Sequence, residues 1–245
     1  MSTSVPLGEV LDNAGPAKSP EHLAIDGEYT RLEPVATRHA SALYQCLCRD
    51  SPVETWSYMA AGPFTGEEAF TRQIENLVVS KDPLFFTVMT QVDLPGLAAG
   101  SPVGYLSLMR MDEKNRGIEI GNVTFSAALQ RTTVATEALF LAMRHCFEAL
   151  GNRRLEWKCD SLNAKSRRAA LRYGFVFEGI FRKHFIVKGR NRDTAWFSIV
   201  DNEWPTIKGA LEAWLRAENF DENGRQRRGL VEIRKELESS RSRTV

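Results

Sequence analysis

The sequence predicts a single α/β domain, and three observations support this fold class. The 245 residues are 43% hydrophobic and 26% charged, which is a globular composition long enough for one sizeable core. Strand-like alternation and helix-like spacing of apolar residues follow one another in the order β-α-α-β-β-β-α-β-α-β-β-α, without an internal repeat. One pair of predicted strands is connected by a short loop and a long helix. A connection of this kind is a crossover that joins two parallel strands.

Charge and cysteine content narrow the functional class. The formal net charge is +1, so no overall field favours nucleic acid or an anionic membrane as a partner. No apolar run approaches the roughly 20 residues of a membrane span, and the N-terminus lacks the pattern of a signal peptide. The four cysteines are too scattered for a disulfide scaffold and lack zinc spacing: Cys46, Cys48, Cys146 and Cys159. We expect buried thiols, no metal and a cytoplasmic protein.

The two ends of the chain differ from its middle. Residues 1–26 are rich in Pro, Gly and Ser without a period, which predicts a flexible N-terminal arm. Residues 218–245 are densely charged with both signs, which predicts a solvated, loosely packed tail with partial helical character. The folded domain is therefore expected to span residues 27–217.

The first half of the domain combines one strand, two helices and two strands. The first strand is predicted at EYTRLEPV, which alternates. A helix is predicted after it, where apolar residues recur at helical spacing: Ala40, Leu43, Tyr44 and Leu47. Thr65 and Glu68 form a capping box, which predicts the start of a second helix. Two strands are predicted at FFTVMTQ and PVGYLSLMRM, split by a Pro/Gly loop.

The second half continues with strands and helices in alternation. A long helix is predicted over TTVATEALFLAMRHCFEALG, with Gly151 as its stop. The strand RRLEWKCD places Leu155, Trp157 and Cys159 on one face. A helix capped by Asn163 follows it. Two strands joined by the turn KGRNR come next, and a last helix follows Pro205.

One predicted strand, GIEIGNVTFS, changes the parity of its apolar residues. Ile118 and Ile120 share one parity, whereas Val123 and Phe125 share the other. A slip of register by one residue near Gly121 explains this, and glycine inside a strand is a mark of a β-bulge. A bulge would bend the strand away from its parallel neighbour and open a slot. A strand buried on both faces would also explain the pattern.

The long helix after this strand predicts an anion site. Its N-terminus falls at the carboxyl end of the strand, where α/β sheets bind ligands and where free N–H groups favour negative charge. However, no glycine lies between Leu129 and Leu150, although phosphate loops usually use glycine. A helix start that binds nothing is the alternative.

Four segments together resemble a known family: WSYMAAGPFTGEEAF, IEIGNVTFSAALQRTTVATEA, NAKSRRAALRYGFVFEG and GRNRDTAWFSI. In this order and spacing they resemble the GNAT superfamily of acetyl-CoA-dependent N-acetyltransferases, and within it the RimJ/RimL-type branch, over roughly residues 28–215. The resemblance implies a GNAT-like α/β domain with a mixed, mostly antiparallel sheet and helices on both faces. It also implies a bulged central strand splayed from its parallel neighbour, and acetyl-CoA as the cosubstrate.

The resemblance also implies a cofactor loop. The family pattern is Gln or Arg, two residues, Gly, one residue, and Gly or Ala, and here Thr133 stands in place of the middle glycine. We expect Thr133 to have helical φ/ψ. The backbone N–H groups of Arg131 to Ala135 should surround the pyrophosphate, with Arg131 and Thr136 assisting. The cofactor-binding residues are expected to be Val123, Phe125, Gln130, Arg131, Thr132, Thr133, Ala135, Thr136, Asn163 and Ser166.

The leaving thiolate needs a hydrogen-bond donor. Many members of the family carry a tyrosine seven residues after the motif asparagine, where this chain has Ala170. Tyr173 lies at a position that is usually buried, so we interpret it as a core residue. In RimL-like enzymes the motif serine is the proposed substitute, and here that serine is Ser166. A hydroxyl that merely bonds the first helical turn is the alternative.

The acceptor amine needs a proton acceptor. Glu119 on the bulged strand is the first candidate, and a solvated strand glutamate is its alternative. His184 is the second candidate, because its ordinary pKa suits the task, and a surface or cleft histidine is its alternative. RimL-like enzymes place a glutamate on this strand where Phe185 stands here.

The sequence defines the binding site of the acceptor amine less clearly than that of the cofactor. Trp56, Tyr58 and Phe64 are candidates for the pocket wall, although ordinary core residues would have the same pattern. We expect a small-molecule primary amine to attack acetyl-CoA directly in a ternary complex. A protein N-terminal amine as substrate and a non-catalytic acyl-CoA-binding module are the alternatives, and a homodimer is left open.

Overall fold

The computed structural model describes residues 5–242. Its eight strands form one sheet in the order β1-β2-β3-β4-β5-β6-β8-β7. The strands are β1 Ile25–Asp26, β2 Thr30–Pro34, β3 Leu84–Thr90, β4 Pro102–Asp112, β5 Gly117–Phe125, β6 Arg154–Asp160, β7 Val176–Val187 and β8 Arg190–Val200. Only β5 and β6 pair in parallel within the described sheet. The predicted mixed, mostly antiparallel sheet is confirmed.

Six α-helices surround the sheet in the described chain. They are α1 Ala40–Tyr44, α2 Glu67–Val79, α3 Thr133–Arg144, α4 Ala164–Tyr173, α5 Trp204–Leu215 and α6 Leu230–Ser242. A π-helical turn continues α1 over Gln45–Arg49, and another continues α3 over His145–Ala149. Short 3-10 turns lie at Thr37–His39, Val53–Trp56 and Ala217–Asn219.

Two hydrophobic cores lie on opposite faces of the sheet. Phe86 belongs to the large core and its neighbour Phe85 to the small one, and successive strand residues point to opposite faces. Ten consecutive positions of α3, from Val134 to Met143, are buried, and eight of them belong to the large core. The small core holds α2 through Phe70, Ile74 and Leu77. The expectation of helices on both faces is therefore confirmed.

The start of α2 differs from the predicted capping box. The helix begins at Glu67 with Gly66 as its N-cap, and no side chain caps it. Gly66 is extended, with φ −160° and ψ 160°, so the chain enters the helix after Thr65 rather than at it. Glu67 and Glu68 lie in the first turn, where negative charge favours the helix dipole.

The C-terminal segment is not the loosely packed tail that its charge suggested. Leu230 and Ile233 of α6 are buried in the large core, and Leu237 packs against that core. These positions form a narrow apolar stripe, which the surrounding charges obscure in the sequence. Arg234 donates hydrogen bonds to the carbonyls of Leu171 and Arg172 at the end of α4. The segment is thus part of the packed structure up to α6.

The N-terminal segment also contacts the domain earlier than the predicted arm boundary. The N–H groups of Ala17 and Lys18 donate to the carbonyls of Glu113 and Leu150, at 2.9 and 2.8 Å. β1, which lies within the predicted arm, then pairs with β2 of the domain. Most residues from 5 to 16 are exposed. The four cysteines are free, and all except the half-buried Cys48 are buried.

Candidate active site

The predicted bulge in β5 is confirmed. Tyr105 pairs with Thr124 and Ser107 with Gly121, so β5 advances three residues where β4 advances two. Asn122 has φ +51°, a left-handed conformation that asparagine tolerates better than most residues. Its Nδ2 donates to Ser107 Oγ at 3.0 Å, and Ser107 Oγ donates to the Gly121 carbonyl at 3.1 Å. Polar side chains therefore hold the bulge open.

β5 and β6 separate at this point. Their parallel pairing covers only three positions, from Gly117 opposite Arg154 to Glu119 opposite Glu156. Beyond Glu119 the two strands continue without pairing, so a slot opens between the bulge and the second half of β6. The helix α3 begins at the end of this slot, because the loop after β5 leads directly into it.

Thr133 is the first residue of α3, so it has the helical conformation that the sequence predicted. Thr132 is the N-cap, and its Oγ1 accepts from the N–H of Ala135 at 3.1 Å and donates to the Leu129 carbonyl at 2.7 Å. The left-handed residue of the loop is Arg131, with φ +67°. In the described structure the N–H groups from Arg131 to Val134 donate to no protein acceptor. They remain available to an anion.

Two other residues of the expected cofactor set have partners in the protein. Gln130 Nε2 donates to the Phe125 carbonyl at 3.1 Å and fixes the loop to the end of β5. Thr136 is buried, and its Oγ1 donates to the Thr132 carbonyl at 3.2 Å and accepts from Arg172 at 3.3 Å. This corrects the expectation that the Thr136 hydroxyl assists at the phosphates, because it points into the α3–α4 contact.

The hydroxyl of Ser166 lies between β6 and α4. Asn163 caps α4, as predicted, because its Oδ1 accepts from the N–H of Ser166 at 3.1 Å. Ser166 Oγ accepts from the indole Nε1 of Trp157 at 3.0 Å. Burial raises the pKa of the nearby Cys159 thiol, and a hydrogen bond with Ser166 opposes that shift. Ser166 is therefore more than a residue that bonds the first turn of its own helix.

Ala170 and Tyr173 agree with the sequence interpretation. Ala170 is fully buried and offers no donor. Tyr173 is also buried, and burial raises the pKa of its phenol. Its place in the large core supports a structural role.

Glu119 is buried in an ionic cluster. Its side chain is 7% exposed, and its Oε2 lies 2.9 Å from Lys158 Nζ and 3.5 Å from Arg110 Nε. Burial raises the pKa of Glu119, and the positive charges of Lys158 and Arg110 oppose that shift. The alternative of a solvated strand glutamate is therefore wrong.

His184 lies over an aromatic group. Its ring centroid is 3.8 Å from that of Phe185, 5.4 Å from that of Phe181 and 6.0 Å from that of Trp196. Its Nδ1 is buried without a hydrogen-bond partner in the described structure. Burial lowers the pKa of His184, and the positive charges of Arg192, Lys158 and Arg110 lower it further. The neutral imidazole is thus favoured at neutral pH.

The predicted pocket wall contains one core residue. Trp56 is 1% exposed and packs against Phe64 and Phe70, with ring centroids 5.1 and 6.3 Å away. This corrects its assignment as a wall of the acceptor pocket, because its ring belongs to the small core. Phe64 packs against the same core and is partly buried. Tyr58 is exposed, and its hydroxyl donates to the Leu162 carbonyl at 3.3 Å.

Sequence reasoning missed Lys158, Arg110 and Trp196. The alternation of β6 indicated that Glu156 and Lys158 share a face, and the structure agrees. The sequence could not indicate that Lys158 is buried, because the register of β5 on β6 brings Glu119 to it. Its Nζ lies 3.6 Å from the ring centroid of Trp196.

Neither a metal site nor a membrane-spanning helix is found among the described residues. In residues 5–242, no group of three or more His, Cys, Asp or Glu side chains is arranged to hold a metal ion. None of the described helices is both long and apolar enough to span a membrane.

Comparison with known proteins identifies the family of this fold. Residues 30–176 match the family model described as an acetyltransferase (GNAT) domain. A solved structure of a GCN5-related N-acetyltransferase from Brucella melitensis is 42% identical, with a TM-score of 0.87. That match covers 92% of this chain and all of the solved chain.

Two curated relatives are more distant. YdaF of Bacillus subtilis (strain 168), whose name assigns it to ribosomal N-acetylation, is 32% identical over 117 residues. That match covers 46% of this chain and 63% of YdaF. The ribosomal-protein-serine acetyltransferase of Escherichia coli (strain K12) is 26% identical over 158 residues, which cover 64% of this chain and 84% of that protein. The chain belongs to the GNAT family of acetyl-CoA-dependent N-acetyltransferases, with relatives of the RimJ/RimL type.

Proposed function

We propose that this protein transfers the acetyl group of acetyl-CoA to the primary amine of a small molecule, by direct attack in a ternary complex. The observation that carries the proposal is the slot between β5 and β6. It has the unpaired N–H groups of α3 at one end and the carboxylate of Glu119 at its edge. These are the parts that acetyl transfer requires: an anion site, an open thioester position and a proton acceptor.

Acetyl-CoA would be held along the slot. The N–H groups from Arg131 to Val134 would bind the pyrophosphate, together with the positive end of α3. The bulge at Asn122 would offer backbone N–H groups of β5 to the thioester carbonyl, because a bulge leaves part of the ladder unpaired. Val123, Phe125 and Asn163 would line the pantetheine.

The amine must lose a proton before it attacks. Glu119 would accept this proton, directly or through water, because burial keeps its pKa above the usual glutamate value. His184 is the second candidate, since its imidazole is neutral and its Nδ1 is unpartnered in the described structure. The ring of Phe185 packs against His184, and the ion pair with Lys158 holds Glu119.

The thiolate of CoA must be stabilised as it leaves. Ser166 would donate a hydrogen bond to the sulfur of CoA, because its oxygen accepts from the Trp157 indole and its O–H, which lies near Cys159, would turn to the thiolate. A hydrogen bond aimed at a developing anion stabilises the transition state more than the ground state.

The preference for a small acceptor rests on two contacts made by the segment after α1. Tyr58 donates to the Leu162 carbonyl at 3.3 Å, and Lys188 Nζ donates to the Trp56 carbonyl at 2.9 Å. They join the segment after α1 to the loop before α4 and to the β7–β8 turn. These bridges favour a small molecule over a peptide backbone.

A protein N-terminal amine is the second candidate. The similarity to the E. coli ribosomal-protein-serine acetyltransferase favours it. The bridge from Tyr58 is also compatible with it, because the Tyr58 side chain is exposed and its hydrogen bond can break to admit a peptide. A non-catalytic acyl-CoA-binding module is the third candidate, and turnover separates it from both enzymes. The cytoplasmic location and a homodimer stay predictions.

The test is turnover of acetyl-CoA with a panel of acceptors, read as release of free thiol. The panel contains amino acids, polyamines, amino sugars and short peptides that begin with serine. Acetylation of a small amine supports the proposal, and acetylation of the peptides alone favours the second candidate. Binding of acetyl-CoA without turnover of any acceptor would favour the non-catalytic module.

A further inference from the structure

Lys158 is a buried cation that no step of the proposed reaction uses. Its side chain is 5% exposed, although it lies on the polar face of β6. Its Nζ lies 2.9 Å from Glu119 Oε2 and 2.7 Å from Glu156 Oε2. A buried ammonium is unfavourable unless it is paired and hydrogen-bonded, so its position is determined by these two carboxylates.

The ring of Trp196 holds the same ammonium from a third side. Nζ lies 3.6 Å from the ring centroid, a close cation–π contact. The other cation of the cluster, Arg110, is placed less tightly, because its Nε lies 3.5 Å from Glu119 and its side chain is 53% exposed. Lys158 is therefore the group that fixes the Glu119 carboxylate.

Only one oxygen of Glu119 is fixed. Oε2 accepts from Lys158, whereas Oε1 accepts no hydrogen bond from a described residue. A Cβ placed on Gly121 would lie 3.5 Å from this Oε1. The free oxygen is thus next to the residue at which β5 begins its bulge, on the edge of the slot.

We infer that Lys158 is a positioning residue of the acetyl transfer, which anchors Oε2 of Glu119 so that Oε1 faces the slot as the proton acceptor. This inference rests on the proposed function. Lys158 does not touch the substrate in this scheme, and it acts only through Glu119.

The charges around Glu119 determine how its ionisation responds to Lys158. The charged and titratable groups on the surrounding strands are Arg110 on β4, Glu156 and Lys158 on β6, His184 on β7 and Arg192 on β8. Without Lys158, Glu119 would face Glu156 across the parallel pair, with Arg110 as the nearest cation. Both the lost cation and the like charge favour the protonated form of Glu119.

The test is the pH profile of kcat/KM for the wild type and for Lys158→Met. Proton transfer requires ionised Glu119, so the acidic limb of the profile follows its ionisation. We expect the limb of Lys158→Met to move to higher pH by about one unit or more, with activity recovering above it. A loss of activity that is equal at every pH, with the limb unmoved, would overturn the inference.

Two matched variants separate positioning from folding. Lys158→Arg keeps the cation, so its limb should stay near that of the wild type. Glu156→Gln removes the like charge and leaves Lys158 paired to Glu119 alone, so its limb should move to lower pH. If Lys158→Met does not fold, the shift of the acidic limb to lower pH in Glu156→Gln still tests the inference. An unmoved limb in Glu156→Gln would overturn it.

A second readout does not need turnover. The carboxyl carbon of Glu119 can be followed by NMR in protein labelled with ¹³C-glutamate, with Glu119→Gln to identify its signal. We expect its titration midpoint to rise in Lys158→Met. If the wild type acetylates no amine, the proposed function fails while this titration still tests the link. An unchanged midpoint would overturn the inference even in an active enzyme.

Discussion

Trp157 donates its indole N–H to the hydroxyl oxygen of Ser166 at 3.0 Å, across the contact between β6 and α4. The two residues belong to different elements, so the hydrogen bond fixes the hydroxyl relative to the slot rather than relative to its own helix. The oxygen accepts from the indole, so the hydroxyl proton is directed to a different partner, and the nearby Cys159 sulfur is one acceptor for it. A leaving thiolate at the end of the slot would be such a partner.

Ser166→Ala is therefore expected to lower kcat by at least about 10-fold, with little change in the affinity for acetyl-CoA. One donor lost at a developing anion in a dry site removes up to about 3 kcal/mol, and an interaction made mainly in the transition state lowers kcat rather than binding. Steady-state kinetics and acetyl-CoA titration measure the two effects. Unaltered turnover would mean that Ser166 only supports the helix start.

Trp157→Phe is the matched control for this prediction. It keeps an aromatic ring on β6 but removes the donor to Ser166. The hydroxyl remains, but its orientation is no longer fixed, so kcat should fall less than in Ser166→Ala. A larger loss in Trp157→Phe would point to packing, because Trp157 is buried in the large core.

CoA is expected to raise the melting temperature. Binding to the native state alone at about 100 times the dissociation constant adds about 2.7 kcal/mol, which corresponds to about 5–10 °C for a chain of this size. Thermal unfolding with and without millimolar CoA measures it. Thr132→Val removes the cap of Ala135 and should reduce the shift. A melting curve that CoA does not move would remove the anion site at α3.

Glu119→Gln is expected to lower turnover at neutral pH more than it weakens acetyl-CoA binding. Burial raises the pKa of Glu119, so the acidic limb of the wild-type profile should lie above the ordinary glutamate value and activity should be lost as the pH falls through it. His184→Gln is the comparison, because His184 is the second candidate base and burial lowers the pKa of its imidazole. Wild-type rates in Glu119→Gln from pH 6 to 9 would leave His184 as the base to test.

The conformation of Asn122 predicts two opposite stability effects. Its φ is +51°, which a β-branched side chain adopts only with strain. Asn122→Val should therefore lower the free energy of unfolding by about 1–2 kcal/mol. Asn122→Gly should retain the bulge and lose mainly the hydrogen bond to Ser107. Urea unfolding measures both, and a Val variant as stable as the Gly variant would contradict the left-handed assignment.

The sequence predicted those features that depend on local pattern. The parity change from Ile120 to Val123 indicated the bulge, with a strand buried on both faces as the alternative, because side chains alternate along a strand. The cap at Asn163 followed from residue type at a helix start. The sequence failed where the register between distant strands decides, as for Lys158, whose burial depends on the pairing of Glu119 with Glu156.

Residue type also failed to separate core aromatic residues from exposed ones. Trp56 and Tyr58 are both aromatic and two positions apart, yet one is 1% exposed and the other 38%. Trp56 ends the 3-10 turn Val53–Trp56 and belongs to the small core, whereas Tyr58 lies beyond that turn and is exposed. No periodicity in so short a segment indicates which ring is turned inward.

The last prediction concerns α6, which packs against the large core although its sequence is densely charged. Ile233 is 4% exposed in the large core, and deleting a buried aliphatic side chain to alanine removes about 2–5 kcal/mol. Ile233→Ala should therefore lower the free energy of unfolding by about that amount, whereas Val231→Ala, at a position 37% exposed on the same helix, should change it by less than about 1 kcal/mol. Both variants replace a β-branched residue in one helix, so the difference reports burial rather than helix propensity. Urea unfolding of the full-length protein measures both. Equal and small effects would mean that α6 separates from the domain in solution and that the segment is the solvated tail that its composition suggested.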